Sequence, residues 1–127
     1  MLSATAADRR LALAVALGGT AGTTLRLATV SIVESPSGTW PVATFVVNMI
    51  GTLLLATLVG YNVQPETRAL LGTGLSGALT TFSTMQLELV SLARTSPPRA
   101  ATYLIASVGL GLVLARVGIS RGRAWQR

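Results

Sequence analysis

The chain has 127 residues, of which half are hydrophobic and only 11% are charged. A soluble domain averages about 25% charged residues, so this chain has too little charge to cover a water-facing surface, and its apolar residues must face lipid. It contains no Cys and no His, which excludes disulfides, His-based acid–base catalysis and nearly all zinc or haem ligation. We therefore predict an integral membrane protein that is not an enzyme.

Four segments are apolar enough to cross a bilayer, which takes about 20 mostly apolar residues. They run over about residues 11–33, 41–61, 69–92 and 100–118, joined by short connections. There is no room for a soluble domain. The sequence therefore predicts an all-α membrane protein in which residues 1–127 form a single four-helix membrane domain.

The basic residues are all arginines, and we interpret those at span ends as membrane anchors rather than as a nucleic-acid site. With four spans, both termini and the second connection share one side of the membrane. That side has seven arginines and the other has two, Arg94 and Arg99. The seven are Arg9, Arg10, Arg68, Arg116, Arg121, Arg123 and Arg127. This bias favours cytoplasmic termini.

The first two spans each contain a polar residue that would be energetically costly to place in lipid. Arg26 interrupts the first span, and such an arginine snorkels to the nearer interface, pairs, or serves an ion pathway. Asn48 lies mid-way along the second span, where an amide is costly unless it is paired. It acts either as a contact between helices or as a hydrogen-bond donor in an ion path.

The third span is the least regular. Residues 72–85 include three Gly and six Ser or Thr, residue types that weaken a helix. A broken helix is tolerated in lipid only where it is buried in protein or lines a polar cavity, and its freed carbonyls can then bind a cation. Close packing of small residues is the other interpretation, but the number of hydroxyls favours a break mid-membrane. Glu88 follows near the end of this span.

Aromatic and hydroxyl residues of the last two spans form a second candidate group. Phe82 lies among Ser and Thr, and the positive edge of its ring can face an anion. Tyr103, Ser107 and Gly111 recur every four residues and therefore share one helix face. That face is either a packing surface of small residues or a polar track beside a pore.

Three motifs together resemble the Fluc (CrcB) family of fluoride channels, over essentially the whole chain. They are Gly18-Gly19-Thr20-Ala21-Gly22 with Arg26, Asn48-Met49-Ile50-Gly51, and the more specific segment from Gly74 to Thr84. The resemblance implies antiparallel, dual-topology dimers with two narrow pores in the bacterial plasma membrane. Such channels let cytoplasmic fluoride leak out passively and so lower its toxicity.

The resemblance also implies roles for single residues. The backbone carbonyls of Gly77 and Thr80 from each subunit would hold a structural sodium ion at the dimer centre, which is not transported. Asn48 would donate a hydrogen bond to the anion, and the ring edge of Phe82 would line its path. The other pore residues implied in this way are Thr84, Met85, Tyr103, Ser107 and, at the vestibule end, Arg26.

Two residues depart from the family's pattern. Met85 stands where the family commonly has a second Phe, and it offers only a polarizable thioether. Gly111 stands where a hydroxyl would continue the polar track. With the uneven arginines, these departures leave open a heterodimer with a paralogous subunit. We expect a homodimer, because Phe82, Asn48 and the sodium motif are intact.

Two functions from other classes remain as alternatives. A small four-span proton-coupled exporter of cationic compounds needs a titratable carboxylate mid-membrane, whereas Glu34 and Glu88 lie near span ends. A non-conducting assembly protein, held together by its Gly and Ser faces, is the other.

Overall fold

A computed structural model describes residues 5–33, 36 and 39–126, so Glu34 and Arg127 lie outside the described residues. The described elements are α1 (Ala6–Ile32), α2 (Val42–Tyr61), α3 (Pro65–Thr67), a π-helical segment π1 (Arg68–Ser76), α4 (Gly77–Leu79), α5 (Phe82–Thr95) and α6 (Pro97–Ala124). Three of them, α1, α2 and α6, are long and apolar enough to cross a membrane. The expectation of an all-α membrane protein is confirmed.

The third region consists of two helical pieces. α3, π1 and α4 follow one another without a gap, so residues 65–79 form one run, which we call the first half-helix. It ends at Thr80 (φ −76°, ψ 152°) and Thr81 (φ −146°, ψ 116°), whose backbones are extended. α5 then begins at Phe82. The predicted break is therefore present, while its depth in a membrane stays a prediction.

The π-helical turns of the first half-helix explain part of its unusual composition. In a π-helix each N–H bonds the carbonyl five residues earlier, and the Gly77 amide donates to the Gly72 carbonyl in this way. The Ser76 hydroxyl likewise donates to the Leu71 carbonyl at 2.7 Å. The small and hydroxyl residues of this segment are thus accommodated within the helix itself.

The outer helices extend beyond the apolar segments read from the sequence. α1 begins at Ala6, where Thr5 and Asp8 form a reciprocal capping box, and not near residue 11. α6 begins at Pro97, a residue suited to a first helical turn, and continues to Ala124. Hydropathy marks only the lipid-compatible part of a helix, so polar ends of α1 and α6 fell outside the predicted ranges.

Close backbone contacts hold the helices together. α1 packs along the first half-helix, where a Cβ on Gly18 or Gly22 would collide with the carbonyl oxygens of Leu70 and Leu75. α2 packs along α6, and α5 packs on α6 as well. Between α5 and α6 lies a small apolar core formed by Met85, Leu92, Ala100 and Tyr103.

The start of α1, the end of α2 and the end of α6 lie at one end of the bundle. The Gln126 amide donates to the Tyr61 carbonyl, and the Tyr61 and Trp125 rings lie 6.1 Å apart, so α2 and α6 end on the same side. Leu11 lines a cavity with Arg68, which brings the start of α1 to that side too. The connection between α5 and α6 lies at the opposite end.

Candidate functional site

The break is fixed to α2 by the side chain of Asn48. The Thr81 amide donates to Asn48 Oδ1 at 2.8 Å, and Asn48 Nδ2 donates to the Thr81 carbonyl at 3.1 Å. Both backbone groups of Thr81, which is itself buried, are thereby paired. This satisfies polar groups that would otherwise be costly to bury, and it leaves one N–H of the Asn48 amide for another acceptor.

The carbonyl groups of Gly77 and Thr80 have lost their helical donors. In a continuous α-helix they would accept from the amides of Thr81 and Thr84. The Thr81 amide donates to Asn48, and the Thr84 amide donates to the Thr81 hydroxyl at 3.3 Å. Gly77 is exposed. Two carbonyl oxygens at the end of a half-helix form a donor set that suits a hard cation with oxygen ligands. Within the described ranges, no cluster of His, Cys, Asp or Glu side chains offers a different kind of metal site.

Hydroxyl groups cap the start of α5. Thr81 is the N-cap residue, and its hydroxyl accepts from the Thr84 amide and donates to the Thr84 hydroxyl at 2.9 Å. Thr84 is half-buried and lines a cavity of about 200 Å³ together with Arg26 and Thr44. The structure thus brings Arg26 and Thr84 to the same small cavity, which Phe82 does not line.

A second cavity, of about 360 Å³, also borders the break and shares Thr81 with the smaller one. The predicted site residues that line it are Asn48, Gly77, Thr80, Phe82, Met85 and Ser107. Phe82 is 69% exposed, whereas Met85 is buried in the α5–α6 core. The Ser107 hydroxyl is buried without a hydrogen-bond partner among the described residues. An unpaired buried hydroxyl is costly and is free to bind a ligand that enters this cavity.

Tyr103 lies apart from this cavity although it shares a helix face with Ser107. Its side chain is fully buried, and its hydroxyl donates to Glu88 Oε2 at 3.0 Å. The Thr44 hydroxyl donates to Glu88 Oε1 at 2.6 Å. The ring of Trp40 packs edge-on against Tyr103 with centroids 5.3 Å apart.

The sequence reasoning placed Glu88 near a span end and gave it no part in the site, whereas the structure places it at two polar contacts within the bundle. α5 continues to Thr95, so Glu88 lies in the middle of a helix, half-buried between two hydroxyl donors. The sequence signal that could have pointed to Glu88 is its spacing: it follows Thr84 by one helical turn and the N-cap residue Thr81 by two, so it lies on the same face of α5 as these hydroxyls. The contribution of Thr44 could not be read from the sequence, because that residue lies on another helix.

Comparison with known proteins identifies the family. The sequence profile described as CrcB-like protein, Camphor Resistance (CrcB), matches residues 13–119. The chain belongs to the CrcB-like family. All three motifs on which the resemblance was based, and every predicted site residue, lie within this range.

Individual CrcB-like relatives are similar over most of their length. The Fluoride-specific ion channel FluC 2 of Rhodococcus jostii is 46% identical over 84% of this chain and 93% of its own. The Fluoride-specific ion channel FluC of Methanopyrus kandleri is 38% identical over 84% and 85%. The Fluoride-specific ion channel FluC 1 of Ligilactobacillus salivarius is 36% identical over 86% and 96%. These are names of channels and not of enzymes, which agrees with the prediction that the chain is not an enzyme.

Proposed function

We propose that the protein is a fluoride-selective channel that gives passive efflux of cytoplasmic fluoride across the bacterial plasma membrane and so lowers fluoride toxicity. The observation that carries this proposal is the match, at 36–46% identity over most of the chain, to relatives named fluoride-specific ion channels. A small, strongly hydrated anion must exchange its water for other donors along a selective path. This chain has neutral donors and a ring edge around the break, as such a path requires.

The proposed path uses the larger cavity. Asn48 would offer its remaining N–H, Ser107 its unpaired hydroxyl and Phe82 its positive ring edge. None of these three groups has a full charge, so each binds fluoride weakly enough to release it, which conduction demands. Arg26 and Thr84 would line the approach through the smaller cavity. Tyr103 would act at one end of the path, through its contact with Glu88.

The proposed functional unit is an antiparallel dual-topology dimer with a structural sodium ion at its centre. The carbonyls of Gly77 and Thr80 that lack helical donors would bind the ion together with those of the second subunit. Gly77 and Phe82 are exposed on a single subunit and are therefore available for close van der Waals packing against a partner, which drives helix association in a membrane. A single subunit also has too few helices to enclose a pore.

A homodimer is the simpler assembly, because the sodium motif, Asn48 and Phe82 are all present. A heterodimer with a paralogous subunit is the alternative within the same function. It is favoured by Met85 in place of an aromatic residue, by the one-sided arginines, and by the numbered names FluC 1 and FluC 2 among the relatives.

Flux measurements on purified protein in liposomes test the proposal. We expect efflux of fluoride without efflux of chloride, and a strong loss of fluoride efflux in Phe82→Leu and Ser107→Ala. Ile105→Ala is the matched control, because Ile105 is 70% exposed on the outer face of α6. Fluoride efflux only after addition of a paralogous subunit would identify a heterodimer. No fluoride efflux with either preparation would refute the channel.

Proton-coupled export of cationic compounds is the second candidate, and Glu88 is the observation that favours it. Of the described acidic residues, Asp8, Glu66 and Glu88, only Glu88 is not exposed, and an exporter needs such a carboxylate within the helices. Uptake of a cationic dye driven by a pH gradient, and lost in Glu88→Gln, would support export. A channel gives fluoride flux without a pH gradient.

A further inference from the structure

We propose that Asn48 and Gly51 of α2 set the geometry of the break, so that Asn48 is a positioning residue for the Gly77 and Thr80 carbonyls in addition to any contact with an anion. The inference deepens the proposed function and rests on it in one respect, which is that sodium is taken as the ligand of these carbonyls.

The hydrogen bonds of Asn48 run in both directions to a single residue. Its Oδ1 accepts from the Thr81 amide at 2.8 Å while its Nδ2 donates to the Thr81 carbonyl at 3.1 Å. Such a pair fixes the plane of the amide and the extended backbone of Thr81 at the same time. An amide that served only as an anion donor would need neither of these bonds.

The hydrogen bond from the Thr81 amide to Asn48 also determines whether the Gly77 carbonyl has a donor. The Thr81 amide is the donor that the Gly77 carbonyl would have in an uninterrupted helix. Without Asn48, this buried amide would need another acceptor, and the acceptor that a regular α-helix provides is the Gly77 carbonyl. By accepting the hydrogen bond of the Thr81 amide, Asn48 therefore leaves the Gly77 carbonyl free to bind a cation.

Gly51 determines how closely Thr80, the other extended residue of the break, can approach α2. A Cβ at position 51 would collide with Thr80 Cγ2, and the next nearest atom is the Ser76 carbonyl oxygen at 3.5 Å. Thr80 is held on the other side by its hydroxyl, which donates to the Ser76 carbonyl at 2.9 Å. Gly51 and Asn48 are three positions apart on α2 and so lie on one face. That face of α2 therefore contacts both extended residues of the break, Thr80 and Thr81.

The first test compares Asn48→Ala and Asn48→Asp with wild-type protein in lipid nanodiscs. We expect the Thr81 amide to exchange with deuterium about tenfold faster in Asn48→Ala, since hydrogen bonds of ordinary net strength are lost. The sodium concentration for half-maximal thermal stabilisation should rise by a similar factor. Asn48→Asp retains an acceptor for the Thr81 amide but loses the donor, so its exchange should lie between the two.

Thr57→Val is the matched control on α2, because its hydroxyl bonds only the Leu53 carbonyl of its own helix, at 2.7 Å. It should change neither measurement. If both Asn48 variants lose fluoride flux while Thr81 exchange and sodium dependence stay at wild-type values, Asn48 acts on the anion alone and the inference is wrong.

The second test uses a compensating pair and does not alter Asn48. Gly51→Ala should displace Thr80 and weaken sodium stabilisation, while Gly51→Ala combined with Thr80→Ser should restore it, because Ser lacks the obstructing methyl but keeps the hydroxyl. No rescue by the pair would contradict the assignment of Gly51. A wild-type protein without fluoride flux would defeat the proposed function, and one insensitive to sodium would defeat the ion assignment. Neither result would alter what Thr81 exchange reports about Asn48.

Discussion

At the scale of single residues, the pairing of Glu88 is the most consequential feature outside the break. A carboxyl group within a helical bundle is tolerated when hydrogen-bond donors surround it, and Thr44 and Tyr103 supply two. Trp40 packs against both Phe45 and Tyr103, with centroids 5.1 and 5.3 Å apart. The aromatic cluster therefore holds the tyrosine hydroxyl at the carboxyl group.

Tyr103→Phe removes one of these donors while keeping the ring. We expect it to lower the free energy of unfolding by about 1 kcal/mol, because an oxygen of the half-buried Glu88 carboxyl group loses its partner. Chemical unfolding in detergent micelles measures the change. Tyr61→Phe, the same chemical change at the end of α2, is the control and should have little effect. Equal losses in the two variants would mean that the contact with Glu88 adds no stability.

At the scale of elements, the first half-helix depends on α1. Its irregular π-helical backbone is held against α1 where Gly18 and Gly22 allow direct contact between the two main chains. Small residues at such crossings let helices approach closely, and in a membrane this packing replaces the hydrophobic effect as a driving force.

Two glycine substitutions on α1 test this dependence. Gly22→Ala should destabilise the protein by about 1 to 3 kcal/mol through overpacking, since its Cβ would meet the Leu75 carbonyl and would lie 3.0 Å from the Leu79 amide nitrogen. Gly19→Ala is the control, because its Cβ would have no atom within 4 Å, and it should gain up to about 1 kcal/mol from helix propensity. Thermal unfolding in detergent measures both. Destabilisation of Gly19→Ala to the same degree would rule out the backbone contact as the cause.

The break could be predicted because its cause is local. The density of Gly, Ser and Thr before Phe82 is visible in the sequence, and these residues weaken any helix that contains them. The partner of the break could not be predicted from the residues alone. Asn48 and Thr81 are 33 positions apart, and their pairing depends on how α2 packs. The same limit explains Glu88, whose donors come from α2 and α6.

At the scale of the whole molecule, exposed residues border the larger cavity. The larger cavity is bordered by Phe82, which is 69% exposed, and by Gly77, which is exposed as well. Exposed apolar residues are ordinary where lipid surrounds a protein, but under the proposed function an ion path along this cavity would need a protein partner to separate it from lipid.

A cysteine at position 77 tests the proposed dimer directly, because the natural chain has no Cys. A two-fold axis near the break would bring Gly77→Cys close to its counterpart, and the substitution fits, since the nearest atom to its Cβ would be the Gly72 carbonyl oxygen at 4.0 Å. We expect a short bifunctional thiol reagent to yield a covalent dimer in membranes. Ile105→Cys, exposed on α6, is the control. Equal cross-linking of both variants would contradict a dimer axis at the break.

The broken third region also has a consequence for how the chain is synthesised. Each of its two helical pieces is shorter than the three long apolar helices of the described chain, so neither piece can cross the bilayer by itself. α1 and α2 precede it and offer the glycine surface of Gly18 and Gly22 and the amide of Asn48. We expect the third region to enter the bilayer after α1 and α2, by packing against the hairpin that these two helices have already formed.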